Sequence, residues 1–158
     1  MAPTSGTVAA FLMAALVLAP CAASADGFEE EQPLPASMAL PEEIAGATWE
    51  WVWFGSGAEQ FDVAEPERYT LEFADDGRVA LKLDCNSGMT SYTLSGDQRI
   101  SFGPIAATRM LCPEDSLDTR FAQALEQVAI YSLWEGGDLL LEAPADSGTL
   151  RFRRAGGE

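Results

Sequence analysis

The sequence predicts an α+β domain in which one principal α-helix packs on a curved, mainly antiparallel β-sheet. Across most of the chain, short apolar stretches alternate with period two and are separated by turns rich in Gly, Asp and Ser. This is the pattern of successive strands. Only the stretch that begins near Ser116 has apolar residues at helical spacing. A parallel α/β sheet needs a helix between its strands, so a single late helix favours an antiparallel sheet.

The first strand is predicted in "TWEWVWF", which is unusually rich in tryptophan. Period-two alternation would put Trp49, Trp51 and Trp53 on one face of the sheet. An aromatic stripe of this kind is a candidate ligand-facing surface for an apolar ligand or a partner strand. The alternative is that the three indoles pack in the core under the helix.

The remaining elements follow from turn residues and from one change of period. "RYTLEFADDGRVALKLD" predicts a hairpin that turns at Asp76-Gly77. "MTSYTL" and "RISFG" predict two further strands, and "AIYSLWE", "LLLE" and "TLRFRR" predict three closing ones. Asp115 or Ser116 can cap the helix. The apolar positions of this helix are Leu117, Phe121, Ala124, Leu125 and Val128.

Composition argues against several functional classes. The chain has 25 Asp and Glu against 9 Lys and Arg, a formal net charge of −16, which is the wrong sign for a nucleic-acid partner. Histidine is absent, which removes the Ser-His-Asp and Cys-His constellations and the HExxH zinc site. The carboxylates lie mostly in predicted turns, and Lys82 is the only lysine. We therefore expect no enzyme, no catalytic residues, no metal site and no cofactor.

The N-terminal segment has the features of an export signal. Residues 8–19, "VAAFLMAALVLA", are uncharged and shorter than the roughly 20 residues that a membrane-spanning helix needs. Ala23 and Ala25 form an A-x-A site, so we expect residues 1–25 to be removed and the protein to be periplasmic or secreted. Lipidation of Cys21 in "LAPC" stays open as the alternative, and it would be the only route to the membrane.

The cysteine count follows from export. Once Cys21 is removed or lipidated, Cys85 and Cys112 remain as a pair in an oxidising compartment, and a disulfide between them is the expected state. This bond would stabilise the fold by roughly 3 to 4 kcal/mol. Two cysteines without histidine make only half a zinc site, and a nucleophilic cysteine would have no base.

The chain divides into four parts by composition. After the signal, residues 26–43 combine a run of glutamate with three prolines, which predicts a flexible tether. Residues 44–154 form the folded domain, residues 155–158 are a disordered tail, and the protein is expected to be a monomer. Within "ATRMLCP" we expect Arg109 to be buried or half-buried and bonded to backbone carbonyls or to a carboxylate; the alternative is an exposed recognition residue.

Several strings in order resemble the META domain family, the HslJ-like exported bacterial proteins. The most specific are Cys85-Asn86 in "DCNSGMTSYTL" and the string "FGPIAATRMLCP". The resemblance covers about residues 44 to 153. It implies that Trp49, Asn86, Thr108 and Arg109, together with the two cysteines, are structural signature positions. The family's common glycine before Cys-Asn is Asp84 here, and Thr90 also departs from the pattern.

The resemblance implies an exported domain linked to stress response and drug tolerance, without an accepted catalytic activity. We therefore expect a non-enzymatic cell-envelope protein, a binding or stress-tolerance module whose partner is an unknown protein or an apolar ligand. The alternative is a periplasmic inhibitor of basic lysozyme-like cell-wall enzymes. By resemblance, META domains are similar to the partners found beside lysozyme-inhibitor domains, and a net charge of −16 would steer the chain toward a basic enzyme.

Overall fold

The computed structural model describes residues 39–96 and 98–156, and everything below concerns these residues. The predictions for the signal segment, for Cys21, for most of the tether and for the last two residues of the tail lie outside them. The strands are β1 (Thr48–Gly55), β2 (Gln60–Asp62), β3 (Tyr69–Phe73), β4 (Arg78–Leu83), β5 (Asn86–Leu94), β6 (Ile100–Phe102), β7 (Ala106–Ala107), β8 (Ile130–Leu133), β9 (Leu139–Glu142) and β10 (Thr149–Arg154). The helix, α1, spans Asp118–Glu126 between β7 and β8.

The strands form one strongly curved antiparallel sheet in the order β6-β5-β4-β3-β1-β10-β9-β8, with β2 beside β1 and β7 beside β5. An antiparallel bridge between Arg99 and Ile130 joins the two ends of this order. The backbone N–H of Ile100 donates to the carbonyl of Ala129 at 3.1 Å there. The sheet is thus almost closed into a barrel, and the predicted α+β class with a curved antiparallel sheet and one helix is confirmed.

The core lies inside the curved sheet and under the helix. Phe121 and Leu125 of α1 are fully buried, and the Phe121 ring stacks on Trp51 with a centroid distance of 5.0 Å. Phe152 of β10 and Tyr69 of β3 contact the same phenyl ring. Burying a side chain of this size contributes about 1.5 to 3 kcal/mol. The helix is therefore held by an aromatic cluster built from distant strands.

A β-bulge in β1 separates the three tryptophans that were predicted to share a face. Trp51 pairs with Phe152 and Trp53 pairs with Arg151, so Val52 is an extra residue in the strand. The period-two alternation is shifted there by one position. Trp49 and Trp51 are buried, whereas Trp53 lies beside Arg151 on the outer face. The prediction of one continuous aromatic stripe is therefore wrong.

The starts of the predicted domain and of the predicted helix both differ slightly from the structure. Leu40 is buried in the core, so the packed region begins before Ile44. The helix N-cap is Leu117, which offers no side-chain hydrogen bond, rather than Asp115 or Ser116. The Ser116 hydroxyl nevertheless accepts a hydrogen bond from the backbone N–H of Asp118 at 3.3 Å. Packing of the apolar face, more than capping, fixes where the helix begins.

Candidate functional site

The two most specific sequence strings are brought together along one edge of β5. We call residues 103–112 the wall segment. It runs antiparallel to β5, beginning where the N–H of Gly103 donates to the carbonyl of Ser91 at 2.9 Å. It continues through the β7 pairing with Gly88 and Met89. A hydrogen bond of 3.0 Å from the N–H of Thr108 to the carbonyl of Ser87 extends this pairing almost to the start of the strand.

The Asn86 side chain fastens the end of the wall segment. It is 4 % exposed, and its Oδ1 accepts from the backbone N–H of Met110 at 2.8 Å. Its Nδ2 donates to the carbonyl of the same residue at 3.2 Å and to Oδ2 of Asp118 on α1 at 3.3 Å. The amide therefore pairs with Met110 as a strand backbone would, and it also ties the wall segment to the helix.

The Thr108 hydroxyl adds a second fastening beside the first. Its Oγ1 accepts from the N–H of Ser87 at 3.1 Å and donates to Oδ1 of Asn86 at 3.0 Å. Oδ1 of Asn86 thus accepts two hydrogen bonds, which saturates an amide oxygen. Buried polar groups with all partners present make a site rigid. Thr108 and Asn86 are therefore parts of one network.

A disulfide joins Cys85 to Cys112, as the cysteine count predicted, with a Cα–Cα distance of 5.6 Å. The bond fixes the residue just before Asn86 to the last residue of the wall segment. Nδ2 of Asn86 lies 3.2 Å from Sγ of Cys112 and donates to it. Leu111 is therefore flanked on one side by a residue whose backbone is clamped and on the other by a cysteine that is covalently bound.

Asp84, where the resemblance described above implies a glycine, has a left-handed backbone with φ of 59°. Its carboxylate is 8 % exposed and accepts two hydrogen bonds from Arg68, at 2.7 Å from Nε and 2.7 Å from Nη2. The hydrogen bonds from Arg68 lower the pKa of this carboxyl against the opposing effect of burial. The Arg68 guanidinium also reaches Glu65 and Asp115, so one cation holds three carboxylates beside the disulfide.

A groove of about 750 Å³ lies between the wall segment and α1. Its sides include the apolar residues Leu83, Ile105 and Ala122. The carboxylates that line it have partners already: Asp118 accepts from Asn86 and from its own helix, and Glu126 accepts from the backbone N–H of Ile105 at 3.4 Å. The groove is thus suited to binding an apolar group rather than to acid–base chemistry.

Three successive residues form the exposed rim of the groove. Leu111 is 102 % exposed, the highest value among the large apolar residues in the part of the chain that the structure describes, and Met110 is 59 % exposed. Arg109 is also exposed, and it makes no hydrogen bond or ion pair with a described residue. The expectation of a buried, carbonyl-bonded guanidinium is therefore wrong, and the site offers an apolar pair next to a cation.

The predicted aromatic surface does not contribute to this groove. Trp49 and Trp51 are core residues, and their indole N–H groups donate to the carbonyls of Ile44 and Trp53. Trp53 lines a separate, shallower pocket on the outer face. Sequence reasoning missed Met110 and Leu111. The sequence did contain a sign of their exposure. Met110 and Leu111 are adjacent apolar residues that lie outside any alternating pattern and precede Cys112, a cysteine expected to form a disulfide.

The described residues contain neither a membrane-spanning helix nor a cluster of metal ligands. Residues 39–96 and 98–156 contain no helix that is both long and apolar enough to cross a bilayer. The same residues hold no group of three or more Asp, Glu, Cys or His side chains placed to bind a metal ion.

Comparison with solved structures shows the fold. The NMR structure of a protein from Burkholderia xenovorans is similar to this chain, with a TM-score of 0.59 and 21 % sequence identity. The match covers 72 % of this chain and 85 % of the Burkholderia chain. The crystal structure of a DUF4847 family protein from Bacteroides vulgatus matches 73 % of this chain and 96 % of its own, with a TM-score of 0.53 and 15 % identity. No curated protein matches the chain. The family model described as "META domain" matches residues 42–156, most of the length of the chain, and the chain therefore belongs to the META domain family.

Proposed function

We propose that the protein is an exported, non-enzymatic binding module of the cell envelope, and that the groove beside α1 is its binding site. The observation that carries the proposal is the rim formed by Arg109, Met110 and Leu111. Two exposed apolar side chains and a cation without an ion-pair partner among the described residues stand next to a concave, partly apolar surface. Such surfaces commonly mark interaction sites.

Export is supported by the disulfide and by the N-terminal sequence. A bond between Cys85 and Cys112 persists in an oxidising compartment and is rare in the cytosol. A non-enzymatic role is supported by the chemistry of the groove. Its carboxylates serve as acceptors for backbone N–H groups and for Asn86, and the chain has no histidine to act as a base. A binding module of this kind could maintain envelope proteins during stress.

Site-specific photo-crosslinking in the periplasm tests the binding role. A photoreactive amino acid is placed at Ala107, which lines the groove, or at Ala80, which is exposed on β4 and serves as a matched control. We expect a discrete adduct from position 107 that is absent from position 80 and is competed by excess unlabelled protein. The absence of any adduct at position 107, or the same adducts at both positions, would contradict a binding site in the groove.

A second candidate function is inhibition of basic lysozyme-like enzymes, and the net charge of −16 is the observation that favours it. A strongly acidic protein associates faster with a basic enzyme at low ionic strength, because long-range attraction steers the encounter. We expect inhibition that weakens as salt is added. Unchanged activity of a basic lysozyme in an excess of the mature chain at low salt would exclude this function.

A further inference from the structure

We propose that Arg109–Leu111 is a preformed recognition loop, and that Leu111 is its anchor and inserts into an apolar pocket of a basic partner protein. The inference rests on the proposed binding function. The contacting element is Arg109–Leu111, the residue that carries the affinity is Leu111, and the partner is a basic protein. We call these three residues the recognition loop.

The recognition loop is held at both ends although it is exposed. Both backbone polar groups of Met110 are bonded to the Asn86 side chain, at 2.8 Å and 3.2 Å. On the other side of Leu111, Cys112 is covalently joined to Cys85. Thr108, the residue before the loop, is bonded to Ser87 through its backbone and its hydroxyl. A loop that is already ordered loses little conformational entropy on binding.

The position of Leu111 suits an anchor for a partner protein. A single exposed leucine on a flexible surface is ordinary. Leu111 is fully exposed between two fixed points, and its neighbour Met110 is more than half exposed. The chain therefore holds the Leu111 side chain in solvent, away from the core. In this position the side chain does not stabilise the fold by burial. An anchor that enters a partner's pocket is the typical source of affinity in a protein interface.

The surface around the recognition loop carries several exposed carboxylates. Glu65 and Asp115 are exposed near the disulfide, with side chains 55 % and 72 % exposed, and Glu114 is exposed beside them. Arg68 is shared among Glu65, Asp115 and the nearly buried Asp84, so it cannot neutralise all of them. The surface beside Leu111 is thus negative on a chain whose net charge is −16. It complements a positively charged partner.

The same observations disfavour other occupants. A small apolar ligand in the groove would leave Leu111 in water, because this side chain points away from the core and stands at the rim. A second copy of the chain would bring together two bodies of charge −16, and an anionic membrane surface would be repelled for the same reason. Arg109 is compatible with a basic partner, since one carboxylate at the edge of the partner's pocket would pair with it and fix the orientation.

The experiment uses the full chain, exported so that the disulfide forms. A diazirine analogue of leucine, which keeps an aliphatic side chain of similar size, replaces Leu111 so that the anchor is retained. The captured protein is identified, purified and measured for affinity against wild type, Leu111→Ala and Leu133→Ala. Leu133 is another exposed leucine, on β8, and serves as the matched control. We expect a basic partner whose affinity falls about 10- to 100-fold with Leu111→Ala, and is unchanged with Leu133→Ala. The melting temperature of Leu111→Ala should match that of wild type, because this side chain is fully exposed. Leu133→Ala should lower the melting temperature slightly, because its side chain is only 40 % exposed, without changing the affinity.

The outcomes separate this inference from the proposed function. An adduct from position 107 together with no adduct from position 111, or a partner whose affinity ignores Leu111→Ala, leaves a binding module but overturns the recognition loop. An acidic partner overturns the inference as well. No adduct from either position overturns the proposed function itself. Order parameters from backbone NMR provide an independent check: values for Arg109–Leu111 well below those of β5 would contradict a preformed loop.

Discussion

Replacing Asn86 with alanine should detach the wall segment and cost a large part of the stability of the domain. In the structure this amide accepts from Met110 and Thr108 and donates to the carbonyl of Met110 and to Asp118. It is 4 % exposed, so water cannot replace it without entering the site. The Asn86→Ala variant removes these four hydrogen bonds and the weaker donation to Sγ of Cys112, and leaves their partners to find other ones.

The magnitude follows from those four hydrogen bonds. Each contributes a net of about 0.5 to 1.5 kcal/mol, so the upper limit is about 6 kcal/mol. Met110 is 59 % exposed, and water will partly satisfy its two backbone groups once the amide is gone. We therefore expect the free energy of unfolding to fall by about 2 to 4 kcal/mol, which corresponds to a melting temperature lower by about 10 °C.

Urea unfolding of the oxidised protein is the assay, with an unchanged slope showing that the unfolded state is the same. Ser87→Ala is the control, because this neighbouring side chain is exposed and should change stability by less than about 0.5 kcal/mol. Asn86→Asp should be at least as harmful at neutral pH, since it puts a carboxylate against Asp118, and should recover in part at acid pH. A loss below about 0.5 kcal/mol for Asn86→Ala would refute the network as the fastening of the wall segment.

Three further predictions concern the rest of the domain. Asp84→Asn should lower stability at neutral pH, because it removes the carboxylate that pairs with Arg68. Since Arg68 lowers the pKa of Asp84, the difference in stability from wild type should persist down to about pH 4 and be lost as the pH falls further. Unfolding curves recorded across this pH range measure the difference, and a difference that does not change with pH would contradict the prediction. Phe121→Ala should cost about 3 to 5 kcal/mol in urea unfolding, because the fully buried ring packs in the aromatic cluster under α1. Gly55→Ala should destabilise by about 1 to 3 kcal/mol and shift the indole N–H resonance of Trp53, whose ring lies against the glycine; an unshifted resonance would show that the ring is not there.

The fold class could be predicted from sequence because its signals are local. The hairpin at Asp76-Gly77 turns where the glycine has φ of 79°, and β3 and β4 alternate as the sequence indicated. The helix period was recognisable from Phe121 and Leu125, the two residues that α1 buries. These features depend on neighbours in the chain. Turn chemistry and apolar spacing are therefore enough to find them.

The prediction that the three tryptophans share one face was wrong for a reason that sequence spacing does not reveal. A bulge of one residue at Val52 turns Trp53 away from Trp51, and the bulge depends on the register with β10, about a hundred residues later in the chain. The same limit applies to Arg109. Its exposure is set by the wall segment lying flat along β5, which is a pairing between distant parts of the chain.

Asp84 shows how the chain accommodates a non-glycine residue in a left-handed backbone conformation. The residue has a left-handed φ of 59°, which glycine adopts freely and which costs other residues about 1 to 2 kcal/mol, with Asp and Asn among the most tolerant. Its carboxylate then receives two hydrogen bonds from Arg68, and its backbone N–H donates to the Arg68 carbonyl at 2.7 Å. A glycine could make only the last of these. The strain at position 84 is thus offset by an ion pair that fixes the residue next to Cys85. In this chain, Arg68 therefore helps to orient the disulfide and, through it, the wall segment.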